Sequence, residues 1–305
     1  MRSKLVLLLA AMLVPATGCK WFDELKTNPQ GRKPTEKVPE VSADKLVNFL
    51  NDRAERLRSI EYSDTSMRVS GKGIPMAATL RGSLAAAQPR NFRMSSTAKI
   101  AGKVDMGSND QEFWVFLDAP GDSPMYVYAS HADFESGKAR MPGGIPFEPD
   151  WVLQALGMTT FPSTNQYSVR INERERTYTL SWLSASPNGG TVLKEIVFDV
   201  DPATGTRPQV KQHILRNGKT NALIATAEIK SAQTERIGIV KGTELPAAVQ
   251  YPTQIVLKWV EPRFEMDLNL DKATVNALPA GDRGLFARPE IRGTPAIDLA
   301  RYEYK

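Results

Sequence analysis

The sequence predicts a mainly β protein (α+β) built on a strongly curved antiparallel sheet or an incomplete β-barrel. Strand-like runs follow one another through short turns, and only two amphipathic helices interrupt the series. Strands joined in this way form an antiparallel meander. One helix precedes the sheet and the other is inserted in the middle of it, so both are expected to cover its mouth.

Residues 1–18 have the organisation of a bacterial signal peptide. Arg2 and Lys4 give a positive start, residues 5–14 are apolar, and small residues lead to Cys19, the single cysteine. This run is shorter than the ~20 residues of a membrane-spanning helix. The order Ala-Thr-Gly-Cys at 16–19 resembles the lipobox of bacterial lipoproteins. That resemblance implies cleavage before Cys19 and attachment of diacylglycerol and an N-acyl group to it. A plain signal peptide with an incidental cysteine is the alternative.

The composition argues against several classes of protein. Without Arg2 and Lys4, 37 of the 39 Lys and Arg residues stand against 34 Asp and Glu, too small an excess to indicate nucleic-acid binding. No second cysteine is left for a disulfide, so an ordinary core must stabilise the fold. His131 and His213 lie far apart, and no metal, phosphate-loop or nucleophile motif is present. We therefore expect no catalytic residue, no metal, no further cofactor and no enzymatic activity.

The body of the chain is predicted to begin after a tether. Residues 19–41 comprise the lipidated cysteine and a segment in which prolines alternate with charged residues, which favours an extended chain. The same segment packed on the surface is the alternative. Ser42 suits the N-cap of a helix whose core packing is favoured over contact with a membrane surface. The apolar side of that helix consists of Leu46, Val47, Leu50, Ala54 and Leu57.

The strands follow this helix in one long series. They are predicted over 65–70, 76–84, 91–97, 111–118, 125–130, 167–171, 177–183, 191–200, 209–215, 222–230, 254–260 and 264–270. The second helix is predicted over 148–157, where Trp151, Val152, Ala155 and Leu156 form an apolar stripe.

Some of these strands are apolar on both faces. In 111–118, Phe113 and Val115 point to one face while Trp114 and Phe116 point to the other. Such a strand is covered on both sides or lines a cavity on one of them. The side chains predicted to form a hydrophobic lining that binds a ligand are Trp114, Phe116, Trp182, Phe198 and Trp259. A filled core would give the same pattern, and periodicity does not separate the two.

Several segments within residues 42–290 follow the order of a known family. They are 67–71 after the first helix, 89–94, the polar turn and aromatic strand 108–114, and Leu245-Pro246, Leu278-Pro279 and Phe286. With the lipobox and tether, this pattern resembles the LolA/LolB-like superfamily of lipoprotein carriers and receptors. The resemblance implies a curved, incomplete barrel that holds acyl chains. Because the receptors of this superfamily are lipid-anchored and the soluble carriers are not, Cys19 makes this chain resemble the receptors. The resemblance also implies an exposed apolar loop for delivery to the membrane, for which Met141, Ile145 and Phe147 are the candidates. Residues 291–305 are predicted to be a C-terminal tail.

The function expected from this interpretation is that of an envelope lipoprotein facing the periplasm. It is anchored to a membrane by its lipid and binds a lipid or a lipoprotein acyl chain in the apolar half-barrel. Some bacteria place an inner-membrane retention residue, usually Asp, directly after the lipidated cysteine. This chain has Lys20 at that position, and the absence of Asp favours the outer membrane. No protein partner is identified. The alternative is a scaffold lipoprotein whose interior is filled by its own side chains and whose surface binds another protein.

Overall fold

The computed structural model describes most of the chain beyond residue 36. The described residues are 37–71, 78–98, 102–118, 121, 123–141, 149–186, 190–200, 208–239, 246–261, 263–278 and 284–302. The predicted signal peptide, Cys19 and the tether as far as residue 36 lie outside them, as do Ile145 and Phe147. Val38–Lys305 forms a compact unit of its own.

Three helices and fourteen strands make up the described part of this unit. The helices are α1 (Ala43–Arg56), α2 (His131–Glu135) and α3 (Pro149–Leu156). The first six strands are β1 (Ser59–Gly71), β2 (Ala78–Ala87), β3 (Asn91–Ala98), β4 (Gly102–Ser108), β5 (Glu112–Asp118) and β6 (Met125–Ser130). The next are β7 (Ser168–Asn172), β8 (Thr177–Ala185), β9 (Thr191–Val200), β10 (Pro208–Asn217), β11 (Leu223–Ile239), β12 (Pro246–Trp259), β13 (Phe264–Val275) and β14 (Ile297–Asp298).

All fourteen strands belong to one sheet made of two meanders. β1 pairs with β2 on one side and with β13 on the other, so the sheet runs β14-β6-β5-β4-β3-β2-β1-β13-β12-β11-β10-β9-β8-β7. The sheet is curved and unclosed, and every pair is antiparallel except β14 with β6. The predicted fold class is therefore confirmed. Because β6 and β7 lie near opposite edges, the chain must cross the sheet between them, and α2 and α3 belong to that crossing.

Helix α1 forms as its sequence pattern predicts. The Ser42 hydroxyl accepts a hydrogen bond from the backbone N–H of Lys45 at 3.3 Å, which caps the first turn. Leu46, Val47 and Leu50 are buried against strands of the second meander, so the core-packing interpretation is confirmed.

Strand β4 is absent from the series of predicted strands. Gly107 and Ser108 have the composition of a turn, yet both lie in β4. A Cβ at Gly107 would lie only 2.3 Å from Cζ2 of Trp114, so the glycine makes room for the indole of the neighbouring strand. That need arises from tertiary packing, and composition read along the chain does not show it.

The β11–β12 hairpin is longer than predicted, and its far half extends beyond the neighbouring strands. β12 pairs with β13 only from Gln254 to Trp259, whereas its pairing with β11 continues to Pro246. Register shifts between Ile229 and Ala232 mark the bend. Beyond it, β12 packs against α1 and contributes buried side chains to the core.

Candidate functional site

The five side chains predicted to form one hydrophobic lining lie in three separate clusters. We call the face of the sheet that contacts the helices the inner face and the opposite one the outer face. Trp259 lies in the largest, inner cluster, while Trp182 and Phe198 pack under α1 in a second cluster. Trp114 and Phe116 form a third cluster on the outer face with Tyr126. Strand alternation places them there, since Phe113 and Val115 of the same strand belong to the inner cluster.

The inner cluster is covered by α3. Trp151, Leu153 and Leu156 are each 1% exposed, and apart from the indole N–H their side chains carry no polar group. The ring of Trp151 packs edge-on against Trp259 with the centroids 5.9 Å apart. The cover and the sheet therefore meet through apolar surface.

Polar contacts hold α3 at its two ends. At the first turn, Asp150 pairs with Arg90 at 3.1 Å, and Arg90 also pairs with Glu135 of α2 at 2.8 Å. Beyond the last turn, the Asn51 side chain bonds both the N–H and the C=O of Phe161, at 2.7 and 3.0 Å. The helix is therefore fixed at its ends by directional bonds and between them by apolar packing.

A small cluster of polar side chains, Arg53, Tyr62 and His213, lies where α3 ends. Nε of Arg53 donates to the Gln250 carbonyl at 3.2 Å, and the Tyr62 hydroxyl donates to the Pro252 carbonyl at 2.7 Å. Burial lowers the pKa of Arg53 to about 10. Burial, and secondarily the charge of Arg53, lower the pKa of His213 to about 3. At neutral pH Arg53 is therefore charged and His213 is neutral.

The outer cluster is built around Trp114, which is fully buried. Its indole Nε1 donates to Asp105 Oδ1 at 3.1 Å, and the other oxygen of Asp105 pairs with Arg93 at 3.0 Å. Arg93 also donates to the Leu285 carbonyl at 3.2 Å, which ties the cluster to the C-terminal segment.

The segment 284–302, which we call the C-terminal strap, lies over the outer cluster. Arg288 stacks on the ring of Tyr128 at 3.8 Å and donates from Nε to Glu112 at 2.9 Å. The Asn109 side chain donates to the Phe286 carbonyl at 3.1 Å, and the Tyr126 hydroxyl donates to the Pro289 carbonyl. β14 then pairs with β6 at the edge of the sheet. The segment predicted as a tail is therefore a docked part of the body as far as residue 302.

Met141 does not lie on an exposed loop. It is 8% exposed and belongs to the inner cluster, together with Phe134 and Ala139. Ala139 and Met141, which follow α2, are both buried in this cluster. Met141 therefore does not fit the predicted role in delivery to a membrane. Ile145 and Phe147 lie outside the described residues.

Within the described ranges, the structure offers neither a metal centre nor a membrane-spanning helix. No group of three or more His, Cys, Asp or Glu residues in those ranges is placed to hold a metal ion. No helix there is long and apolar enough to cross a membrane.

The chain is similar in fold to several solved structures. A LolA superfamily protein of Nitrosomonas europaea matches with a TM-score of 0.47 at 13% identity, over 82% of this chain and 99% of that one. A domain of Vibrio parahaemolyticus described as an outer membrane lipoprotein-sorting protein matches with a TM-score of 0.46 at 9% identity, over 81% and 100%. A DUF1329 family protein of Desulfovibrio piger matches with a TM-score of 0.45 at 10% identity, over 78% and 95%. No family model and no curated protein matches the chain. At these identities the likeness is one of fold alone.

Proposed function

We propose that this chain is a non-enzymatic envelope lipoprotein that binds a lipid or acyl chain on the inner face of its sheet, beneath α3. The observation that carries the proposal is the nature of this cover. Trp151, Leu153 and Leu156 meet the sheet through apolar surface, and in the described part of the chain the ion pair and the amide hydrogen bonds that hold the helix lie at its two ends, at Asp150 and Phe161.

An acyl chain can replace such a cover at low cost. Apolar contacts have no required direction, so hydrocarbon can take the place of these side chains without leaving a buried polar group unpaired. Each methylene that leaves water contributes about 0.8 kcal/mol. Burial of the acyl chain would therefore offset the displacement of one short helix.

The anchor at Cys19 places this activity at a membrane facing the periplasm, with the outer membrane favoured. Its support is the lipobox-like sequence at 16–19 and the proline-rich segment that follows it. The last residues of that segment are docked on the body, since the Val38 N–H donates to Glu173 at 3.0 Å and the Tyr178 hydroxyl donates to the Pro39 carbonyl at 2.7 Å. The covalent lipid is then an anchor, and the lipid or lipoprotein acyl chain on the inner face is a reversibly bound partner.

A scaffold that binds another protein is the second candidate. The observation in its favour is that the inner cluster is filled by the protein's own side chains, including Trp151 and Trp259 at 1% and 4% exposure. In that case α3 is a permanent part of the core and no lipid enters.

A variant that loosens α3 distinguishes these two functions by its binding of lipid. The chain from Lys20 onward is titrated with a fluorescent fatty acid, and native mass spectrometry reports co-purified lipid. Arg90→Ala removes the contact that joins α2 to the start of α3, so it raises the fraction of molecules with an open inner face. The apparent dissociation constant equals the intrinsic one divided by the fraction of molecules that is open to the ligand, so we expect Arg90→Ala to bind the probe severalfold more tightly.

The matched control is Arg301→Ala, which removes an ion pair with Asp298 at the exposed surface. We expect no change in probe binding from it. If neither the wild type nor Arg90→Ala takes up probe or carries lipid, the scaffold function holds. Uptake that is equal in all three proteins would mean that α3 is not the cover.

A further inference from the structure

Arg53 is a charge without a carboxylate partner at the edge of the inner cluster. It lies in the last turn of α1, and its Nε donates to the Gln250 carbonyl. Within the described part of the chain, no Asp or Glu oxygen lies within 4.0 Å of its guanidinium, and its two terminal nitrogens donate to no hydrogen bond. Solvent still reaches part of the side chain.

The described groups around Arg53 do not neutralise it. The Tyr62 hydroxyl is engaged with the Pro252 carbonyl, and burial raises the pKa of Tyr62, so it stays neutral. His213 is buried and neutral. Glu235 lies beyond Tyr251, whose hydroxyl donates to its carboxylate at 3.5 Å. A buried charge without a counter-ion is unfavourable, and a bound anion would remove that penalty.

Arg53 also touches the end of the cover. Gly157 follows α3 with a φ of +81°, and a Cβ there would lie 2.7 Å from Cζ and Nε of Arg53. A residue with a side chain at 157 would displace the guanidinium. The end of α3 therefore rests on the charged group, at a point where the apolar inner cluster meets solvent.

We propose that Arg53 binds the anionic headgroup, a carboxylate or a phosphate, of an acyl ligand whose chain lies beneath α3. The guanidinium presents a planar fork of donors that matches both oxyanions. Acyl carbons would occupy the apolar face, and the headgroup would sit at the partly exposed edge. This inference rests on the proposed function and adds the chemistry of the ligand's polar end.

The test compares ligands that differ only in the headgroup. The chain from Lys20 onward is loaded with the fluorescent fatty acid at pH 8, and a fatty acid and the fatty alcohol of the same length compete for it. We expect the acid to displace the probe at about tenfold lower concentration than the alcohol, since one charged bond corresponds to about that factor. Inorganic phosphate alone should not displace it.

Two arginines of the same helical turn provide the variant and its control. Arg53→Gln should abolish the preference for the acid and leave the alcohol's affinity within about twofold. Arg56→Gln, at an exposed position, should keep the preference. Loss of acid and alcohol binding to the same extent would show that Arg53 only supports the structure. If circular dichroism shows that Arg53→Gln does not fold, Arg53→Met decides, because it keeps an unbranched stem and loses the charge. A preference for the acid that is unchanged in the folded variant would contradict the proposal.

The wild type alone distinguishes failure of this inference from failure of the proposed function. Equal displacement by acid and alcohol overturns the headgroup site and leaves the acyl site standing. No probe binding at all overturns both. Displacement by inorganic phosphate at the concentration of the fatty acid would identify an anion site unconnected with lipid and would also overturn the inference.

Discussion

The two faces of β5 are both apolar, yet they are covered in different ways. On the inner face, Phe113 and Val115 belong to the cluster beneath α3, whose inward side chains are apolar. On the outer face, Trp114 and Phe116 lie beneath the C-terminal strap, which is fixed by directional bonds such as those of Arg288. A strand that is apolar on both faces therefore needs two covers, and only one of them consists of contacts that hydrocarbon can replace.

This difference assigns a role to each face. Displacing the strap would leave charged and polar groups of the sheet and its turns, such as Glu112 and Asn109, without the partners that they have in the strap. Displacing α3 would expose apolar surface that another apolar group can cover. Under the proposed function, the outer cluster is accordingly part of the stable framework, and the inner face admits the ligand.

The largest expected effect comes from removing one tryptophan from each face. Trp114→Ala and Trp151→Ala each remove a fully buried indole, and each should lower the free energy of unfolding by about 3–5 kcal/mol in urea titrations. In the folded proteins, only Trp151→Ala should bind the fluorescent fatty acid more tightly, because it weakens the cover that competes with the ligand.

The control for both variants is Leu183→Ala at a position that is 61% exposed, where we expect a change within about 0.5 kcal/mol. A change of probe binding in Trp114→Ala equal to that in Trp151→Ala would abolish the functional distinction between the faces.

A smaller loss of stability is expected when the pH is lowered, and it should arise near His213 and Arg53 and not in the strap. The pKa of His213 is about 3 in the folded protein and 6.5 for an unperturbed histidine, so between these values the unfolded chain binds the proton more readily. Stability is therefore lost as the pH falls below about 6.5, and the loss from this group should reach about 2 kcal/mol at pH 5. His213→Gln should show a correspondingly weaker pH dependence in urea titrations at pH 7.5 and 5.

Hydrogen exchange locates this loss. Protonation places a second positive charge near Arg53, so amides of α1 should exchange faster at low pH relative to the intrinsic rate, whereas those of the strap should not. An identical pH dependence of stability in the wild type and His213→Gln would exclude His213 as the cause.

The smallest expected effect is on the strap. Arg288→Ala removes the stack on Tyr128 and the ion pair with Glu112, whose side chains are 29% and 23% exposed, so solvent weakens the pair. We expect a loss of about 1 kcal/mol, seen as faster hydrogen exchange in 284–302 with α3 unchanged. Arg292→Ala, at an exposed position of the same segment, is the control and should leave exchange unaltered. Faster exchange in α3 would indicate that the two covers are coupled.

Much of the fold could be predicted because its signals are local. Periodicity within short windows predicts the apolar side of α1, the stripe of α3 and most strands, and residue type alone predicts the Ser42 cap. Composition along the chain does not predict β4, because the reason for Gly107 is the ring of Trp114 on another strand. The docking of residues 291–302 is not predicted, because it depends on pairing between distant residues, such as Ile297 of β14 with Val127 of β6.

The candidate site could be predicted only in part. Trp259 lies beneath α3, but Trp114 and Phe116 occupy the opposite face, and Trp182 and Phe198 pack under α1. The sequence does not single out Arg53, because a basic residue in the last turn of a helix is common. Its unpaired charge is visible only once α1, β12 and Gly157 are brought together.

The sequence by itself determined the lipobox-like motif at Cys19 as a prediction, the β-rich class and the two-sided apolar character of β5. These depend on residue type and on periods of two or a few residues, which are properties of a short stretch of chain. The tertiary structure decided which covers lie over the two faces of β5 and where the unpaired charge of Arg53 lies. Those features depend on contacts between residues distant in the chain, and such contacts exist only when the sheet has formed.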